Sequence, residues 1–356
     1  KLQEDGTGAI WAIGTGIGKP SVALSEVGWT PENGLCMPQL TAKKYQLTFI
    51  AGVTMKVDDI NFKFFYINKW DNGEFKGDAI STTSELVKIS SDGNLGLQEG
   101  QKFERGGIYR FTVDVTKGNT KAVLTVEKVG KVDLPAPDIF FGNDKMEVTD
   151  TDIYKSEQVF TQGQMITVTG IDNLNEWWID PDFFEKQSDG ALKFLPINGD
   201  YRVTANAVLK YFSVMALKDG KPAKLQDDGT GAIWAIGKGI GKSSVASSEV
   251  GWEPGKALCL AQVAPKKYQL TLKAGETLKT SGDWEAISFK FFHQNDWGGE
   301  FGNYANSILV EQLKLADSGN LEMQDNKAFE EGAVYRFTID VTNGNANADL
   351  KVEKIN

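Results

Sequence analysis

The stretch Phe62-Lys63-Phe64-Phe65-Tyr66-Ile67-Asn68-Lys69-Trp70-Asp71-Asn72-Gly73-Glu74-Phe75 decides the fold, and it occurs twice. The second copy reads Phe289-Lys290-Phe291-Phe292-His293-Gln294-Asn295-Asp296-Trp297-Gly298-Gly299-Glu300-Phe301. Aromatic residues alternate with others and then run into a Gly- and Asn-rich loop that carries a tryptophan. Alternation is the period of a strand, whose successive side chains leave opposite faces. The same period governs Tyr45-Gln46-Leu47-Thr48-Phe49 and Tyr109-Arg110-Phe111-Thr112-Val113-Asp114-Val115. The latter meets the turn Lys117-Gly118-Asn119, and Ala122-Val123-Leu124-Thr125-Val126-Glu127-Lys128 returns to complete a hairpin. No stretch has a convincing 3.6-residue period. Short strands punctuated by Gly, Asn and Asp predict an all-β chain of antiparallel β-sandwiches.

Outward from this stretch, the repeat extends to most of a module. Lys1–Gly14 matches Lys224–Gly237 with one Glu/Asp exchange, and the offset of 223 residues holds through Trp29/Trp252, Cys36/Cys259 and Gly52/Gly275. Small insertions change it to 227 at the aromatic strand and to 226 at Tyr109/Tyr335. Insertions of loop size predict one fold for both copies. Val132-Asp133-Leu134-Pro135-Ala136-Pro137-Asp138 reads as a short stiff linker. The piece that follows is also strand-like, and its Gly199-Asp200-Tyr201-Arg202-Val203-Thr204 echoes Gly107-Ile108-Tyr109-Arg110-Phe111-Thr112. Lys218-Asp219-Gly220-Lys221-Pro222 marks a second boundary. The expected domains are therefore residues 1–130, 131–223 and 224–356: a module, a middle sandwich that is a diverged relative of it, and a second module.

A chain of 356 residues suits two or three domains, each with its own core. Its nine Trp and twenty Phe make it globular, and its formal charge of −10 disfavours nucleic acid and anionic membranes, leaving a neutral ligand as the expectation. Lys1 falls inside a pattern that recurs at Lys224, so the natural start is expected upstream. Cys36 and Cys259 hold equivalent positions in separate modules, where two buried free thiols are expected rather than a disulfide.

Several apparent motifs lead away from catalysis. Gly14-Thr15-Gly16-Ile17-Gly18-Lys19 and Gly237-Lys238-Gly239-Ile240-Gly241-Lys242-Ser243 suggest a phosphate loop. They have three residues where a P-loop needs four between its first glycine and Gly-Lys-Ser, and no dinucleotide fingerprint is complete. A flexible loop with glycines at positive φ is expected there. His293, the sole histidine, stands where the first copy has Tyr66 and is expected to pack as an aromatic. With one histidine and no cysteine cluster, His/Cys metal sites and nucleophilic triads lose their usual parts. Two carboxylates would suffice for glycoside hydrolysis, and Glu74/Glu300 and Asp114/Asp340 recur, but the Asp pair reads as turn formers. Acidic loops such as Asp150-Thr151-Asp152 leave calcium open without an ordered ligand spacing.

What remains is the aromatic set. Sugars present C–H-rich faces that stack on flat rings, flanked by hydroxyls that need polar partners. Trp70 has Lys69 and Asn72 close by, and Trp297 has Asp296, so both loops are candidate sugar platforms. Trp284 lies in a polar insertion absent from the first copy and is expected to be exposed. In Glu176-Trp177-Trp178-Ile179-Asp180-Pro181-Asp182, an extended backbone sends Trp177 and Trp178 to opposite faces, one buried and one free. Trp29 and Trp252, in Val-Gly-Trp-x-Pro, are expected to cap the core, and Trp11 and Trp234 to lie within it. The candidate glycan-binding residues are thus Trp70, Lys69, Asn72, Trp297, Asp296, Trp284 and Trp178, with no catalytic residue, metal or cofactor.

The order Ile-Trp-Ala-Ile-Gly, Val-Gly-Trp-x-Pro, Phe-Lys-Phe-Phe, a Trp loop with Gly-Glu-Phe, and Tyr-Arg-Phe-Thr-(Val/Ile)-Asp-Val resembles the carbohydrate-binding modules of SusE/SusF-like outer-membrane lipoproteins of Bacteroidetes polysaccharide-utilisation systems. The resemblance covers both copies and, more loosely, the middle piece. It implies Ig-like, carbohydrate-binding-module-like sandwiches in an elongated array that hold glycans without cutting them. It also implies a lipid anchor, which this sequence lacks, at the outer-membrane surface, with a glycan-uptake complex as partner. Of the family's sites, only the loop tryptophans Trp70 and Trp297 carry over by motif. Two readings compete with glycan binding: a structural spacer or adhesin made of the same sandwiches, and, more distantly, a glycoside hydrolase.

Overall fold

The computed structural model describes every residue except 71, 72, 135, 151, 172 and 283–285, and of Asp150 only the backbone. The alternating stretches are strands with one buried face. In Lys44–Ile50, Tyr45, Leu47 and Phe49 point inward, and in Gly107–Asp114, Tyr109, Phe111 and Val113 do. These two strands pair antiparallel with Leu47 opposite Phe111. Their sheet runs Gln39–Thr41, Lys44–Ile50, Gly107–Asp114, Ala122–Lys131, Ile80–Thr82, the last pair being parallel. A second sheet runs Glu26–Gly28, Ile10–Gly18, Asn61–Phe65, Leu95–Leu97, Val87–Ile89, with Leu35–Met37 also on Ile10–Gly18. Phe49, Phe62 and Phe111 meet edge-to-face or tilted at 5.4–6.2 Å between the sheets, and burying each such ring is worth roughly 1.5–3 kcal/mol. The second module repeats this plan strand for strand, including the parallel edge pair.

The glycine-rich segment is not a loop. Ile10–Gly18 and Trp234–Gly241 are central strands. Gly14 has φ +140° and faces Phe62 so closely that a Cβ would lie 2.4 Å from the Phe62 Cα; Gly237 meets Phe289 the same way at 2.3 Å. The glycines let the first strand lie tightly against the aromatic strand.

The middle piece is likewise built of strands, with one 3-10 turn at Leu174–Glu176. Its main sheet orders Glu147–Asp150, Ile153–Phe160, Gly199–Asn206, Tyr211–Lys218, Lys221–Pro222, beside two three-stranded sheets. The expected boundary at Lys218–Pro222 is a hairpin turn of that sheet, with Asp219 and Gly220 at positive φ. By compactness the chain divides into two units: residues 1–136 with 148–154 and 206–209, and residues 137–147 with 155–205 and 210–356. In the first unit, the Asn206 side-chain amide donates to the Ala23 carbonyl at 3.1 Å.

In the second unit, most of the middle piece packs on the second module through a buried ion cluster. Lys242 Nζ donates to both oxygens of Asp180 (2.7 and 2.8 Å) and to Asp182 Oδ2 (2.8 Å). Asp182 also accepts from Gln269 Nε2 (2.7 Å), Thr271 Oγ1 (2.6 Å) and the Thr271 N–H (2.6 Å). The three charged side chains are 7% exposed or less. Two carboxylates share one ammonium, so the cluster holds a net negative charge. Burial pushes the Asp180 carboxyl up. Burial alone would raise Asp182 too, but Lys242 and the donors from Gln269 and Thr271 hold it below the ordinary carboxylate range. Burial would lower Lys242, and its two carboxylates raise it instead.

These strains are measurable. Gly14→Ala is expected to cost at least about 2 kcal/mol in urea denaturation, because the added Cβ meets backbone at a strained φ. Lys242→Met strands two buried carboxylates and is expected to cost about 3–5 kcal/mol. Asp180→Asn leaves one ammonium with one carboxylate and is expected to change stability at pH 7 by less than about 1 kcal/mol. The pH signs are opposite for the two acids. Asp182 contributes stability that is lost as pH falls through its lowered pKa, whereas the strain at Asp180 is relieved as pH falls through its raised one. A denaturation series in pH therefore shows the parent chain gaining stability relative to Asp180→Asn as pH falls through the raised Asp180 pKa.

Candidate functional site

Trp70 and Trp297 stand at the ends of the aromatic strands, and they are 49% and 50% exposed. This agreement survives a difference in loop length, so two different loops hold the ring alike. Beneath each lies the tryptophan of the Val-Gly-Trp-x-Pro segment. Trp29 and Trp70 have ring centroids 6.3 Å apart at 31°, and Trp252 and Trp297 are 6.3 Å apart at 25°. The last aromatic of each strand props the outer ring edge-on, Phe65 at 5.6 Å and Phe292 at 6.0 Å. Each module thus carries a pair of adjacent indoles, tilted in the first and stacked in the second, the inner half-buried and the outer half-exposed. Trp29 and Trp252 were expected as core caps; Trp29 does pack against the core of its module, and both rings also meet the outer tryptophan.

Local chemistry sets the ring positions. Gly28 and Gly251 take φ +59° just before the inner tryptophan, and Pro31 and Pro254 begin a 3-10 turn two residues after it. Gly34 sits where a Cβ would be 2.9 Å from both the Ile13 side chain and Asn68 Oδ1, so this segment lies close against the sheet and the Trp70 loop. In the second module the loop is clamped on both sides of the ring. Asp296 Oδ1 accepts the Trp297 N–H at 2.8 Å, and Gln294 Nε2 donates to the Trp297 carbonyl at 2.6 Å. Asp296 therefore holds its loop as well as lying beside the ring, and Lys69, its counterpart, is exposed next to Trp70. Lys63 donates to Glu74 at 3.0 Å, tying the first loop back to its strand. Tyr66 and His293 pack edge-on against Phe75 and Phe301 at 5.8 and 4.1 Å. Burial lowers the His293 imidazole below its ordinary value, which suits a packing aromatic.

The remaining candidates separate. Asn72 and Trp284 lie outside the described residues, as does Thr151 of the acidic Asp150–Asp152 loop. Trp177 is buried and stacks on Phe212 at 4.6 Å. Trp178 is not free: it is half-buried, and its indole N–H donates to Glu276 Oε1 of the second module at 3.0 Å. Trp234 is fully buried, whereas Trp11 is only partly so. The expectation of two buried thiols holds for Cys259 and fails for Cys36, which is exposed. Burial pushes the Cys259 thiol up to about 12, so it is inert near neutrality. Asp114 and Asp340 do form turns, accepting the N–H of Thr116 and Thr342 at 2.8 and 2.9 Å.

The arrangement is a surface platform rather than a cavity. Two open depressions elsewhere, one around Phe140 and Lys155 and one beside Asn306–Ile308, contain no tryptophan. Among the described residues, no group of three or more His, Cys, Asp or Glu side chains converges as a metal site. The inner tryptophans escaped sequence reasoning because pairing depends on two loops meeting in space. Their signal was present nonetheless, since Gly-Trp-x-Pro recurs in both copies, as the tryptophan loop does.

Comparison with known proteins yields families rather than a function. No curated protein matches the chain. Residues 99–225 match a domain of unknown function, DUF5125, a span that includes the middle piece and the closing hairpin of the first module. Residues 5–116 and 228–342 each match another domain of unknown function, DUF5121, and together these two matches span well over half of the sequence. The chain belongs to the DUF5121 family, of which it carries two domains.

Proposed function

We propose that this protein holds a neutral polysaccharide or oligosaccharide without cutting it, as a SusE/SusF-like lipoprotein at the outer-membrane surface that assists a glycan-uptake complex. The observation that carries the reading is the indole pair that both modules retain. A half-exposed ring, backed by a second ring and fixed at its base, presents a preorganised apolar face to the C–H side of a sugar. Asp296 and Lys69 stand beside the rings as polar partners for hydroxyls. The negative net charge favours a neutral ligand over a polyanion. Two such patches in one chain add avidity along a polymer even where each binds weakly. Lys69 and Asp296 differ in charge at matched positions, so the modules need not prefer the same sugar.

The alternative is a spacer or adhesin with no sugar site. The buried Lys242 cluster favours it in one respect, because a rigid domain pair is what a spacer requires. Affinity electrophoresis of the full chain against plant, fungal and host polysaccharides separates the two. Retardation by at least one neutral glycan is expected, and no retardation by any leaves the spacer reading ahead. Release of reducing sugar from a retarding glycan would instead identify a hydrolase.

Trp70→Ala and Trp297→Ala are each expected to weaken glycan binding by about tenfold or more at their own site, the equivalent of roughly 1.4 kcal/mol. Each should lower folding stability by less than about 2 kcal/mol, because half of the ring is already in water. Calorimetric titration beside denaturation checks both numbers. A larger fall in stability with unchanged binding would make the rings packing elements only.

A further inference from the structure

The face by which the second module grips the middle piece has a counterpart on the first module, and there it is uncovered. In the second module the gripping residues are Lys242, Gln269 and Thr271, and they close on the tongue Asp180-Pro181-Asp182. At the constant offset of 223 the first module carries Lys19, Gln46 and Thr48, identical in type. Thr48 lies across from Arg110 as Thr271 lies across from Arg336, so its N–H points to the same open edge that receives Asp182.

Exposure separates the two faces at several matched positions. Cys259 and Gln262 are each 6% exposed and Thr271 8%, under the middle piece, whereas Cys36, Gln39 and Thr48 are exposed. Lys19 is exposed as well and makes no ion pair among the described residues; its ammonium lies 6.0 Å from the centre of the Phe49 ring. Gln46 turns across its own sheet and donates to Thr112 Oγ1 at 3.1 Å, where Gln269 donates to Asp182. Leu40 is 63% exposed at the place of Val263, whose carbonyl accepts from Gln162 of the middle piece at 3.2 Å. A second observation points the same way. The indole N–H of Trp234 donates to the Ala223 carbonyl at 3.0 Å, while that of Trp11 is buried with no acceptor among the described residues.

We infer that this face of the first module is a docking site for a protein domain that presents a loop with two carboxylates two residues apart, as the middle piece presents Asp180-Pro181-Asp182. One carboxylate would meet Lys19, and the other would accept from Gln46, Thr48 and the Thr48 N–H. The partner would bury Leu40 and Cys36. The fit also limits the partner. Glu276, which accepts from the Trp178 indole, is replaced by Val53, so the first module offers no acceptor at that point and a docked indole there keeps its N–H toward water. This inference stands apart from the glycan reading, because none of its residues belongs to the indole pairs.

The test uses Cys36 as a reporter, with buried Cys259 as the protected reference. The probe is residues 137–223 of this same chain, fused ahead of Lys1 so that Ala223 precedes Lys1 as it precedes Lys224. Alkylation is followed by mass spectrometry under native conditions. In the unmodified chain Cys36 is expected to react freely. In the fusion its rate should fall at least tenfold, and Lys19→Met with Thr48→Val should restore it, as should Asp180→Asn with Asp182→Asn in the added copy alone. A synthetic peptide of residues 176–184, added to the full chain at millimolar concentration, gives the same readout without relying on the added domain to fold. Cys36 reacting equally fast in the fusion and with the peptide overturns the inference. So does protection that the Lys19 and Thr48 substitutions leave intact.

Discussion

The close approach of two strands governs each module. Gly14 against Phe62, and Gly237 against Phe289, allow backbone to lie where any side chain would collide with it. That contact seats the aromatic strand in the middle of its sheet, with Phe62 and Phe64 turned into the core. The strand then ends at a fixed point, and its last ring, Phe65 or Phe292, is left to support the loop tryptophan from the side. An exposed indole is useful only if its position is determined, since ordering a mobile ring on binding would consume much of the gain. Here the determination comes from a glycine several residues away on another strand.

The alternating pattern made the fold class legible, because period two translates directly into one buried face and survives any arrangement of loops. Tyr45, Leu47 and Phe49 point inward as their spacing demands. The turn role of Asp114 and Asp340 was legible for the same local reason. What depended on encounters across space was not. The glycine run looked like a loop because glycine signals both free backbone and close backbone approach, and only the neighbouring strand distinguishes them. The packing of Trp29 against the core was legible, but nothing in the Trp29 and Trp252 segments names the outer ring that each also meets. Lys242 looked like the end of a failed phosphate motif, whereas its partners lie in another domain.

The two modules also show how a duplicated surface can diverge by context rather than by sequence. Lys19 and Lys242 are the same residue in the same place, but one is solvated and the other shares a buried site with two acids. Cys36 and Cys259 differ in the same way. Their accessibility follows from what is packed against them, so chemical equivalence between repeats cannot be read from alignment alone. The indole pairs behave oppositely. Their loops differ in length and charge, and the ring geometry is nearly unchanged.

The Lys242 cluster bears on how the chain is made. Asp182 precedes its counter-ion by 60 residues, so as the polypeptide emerges the acidic tongue of the middle piece is complete well before the lysine that neutralises it. Until the last module has formed, the tongue remains hydrated and the surface around it open. The final third of the chain therefore finishes the domain before it, and a boundary that is plain in sequence is not a boundary in the order of assembly.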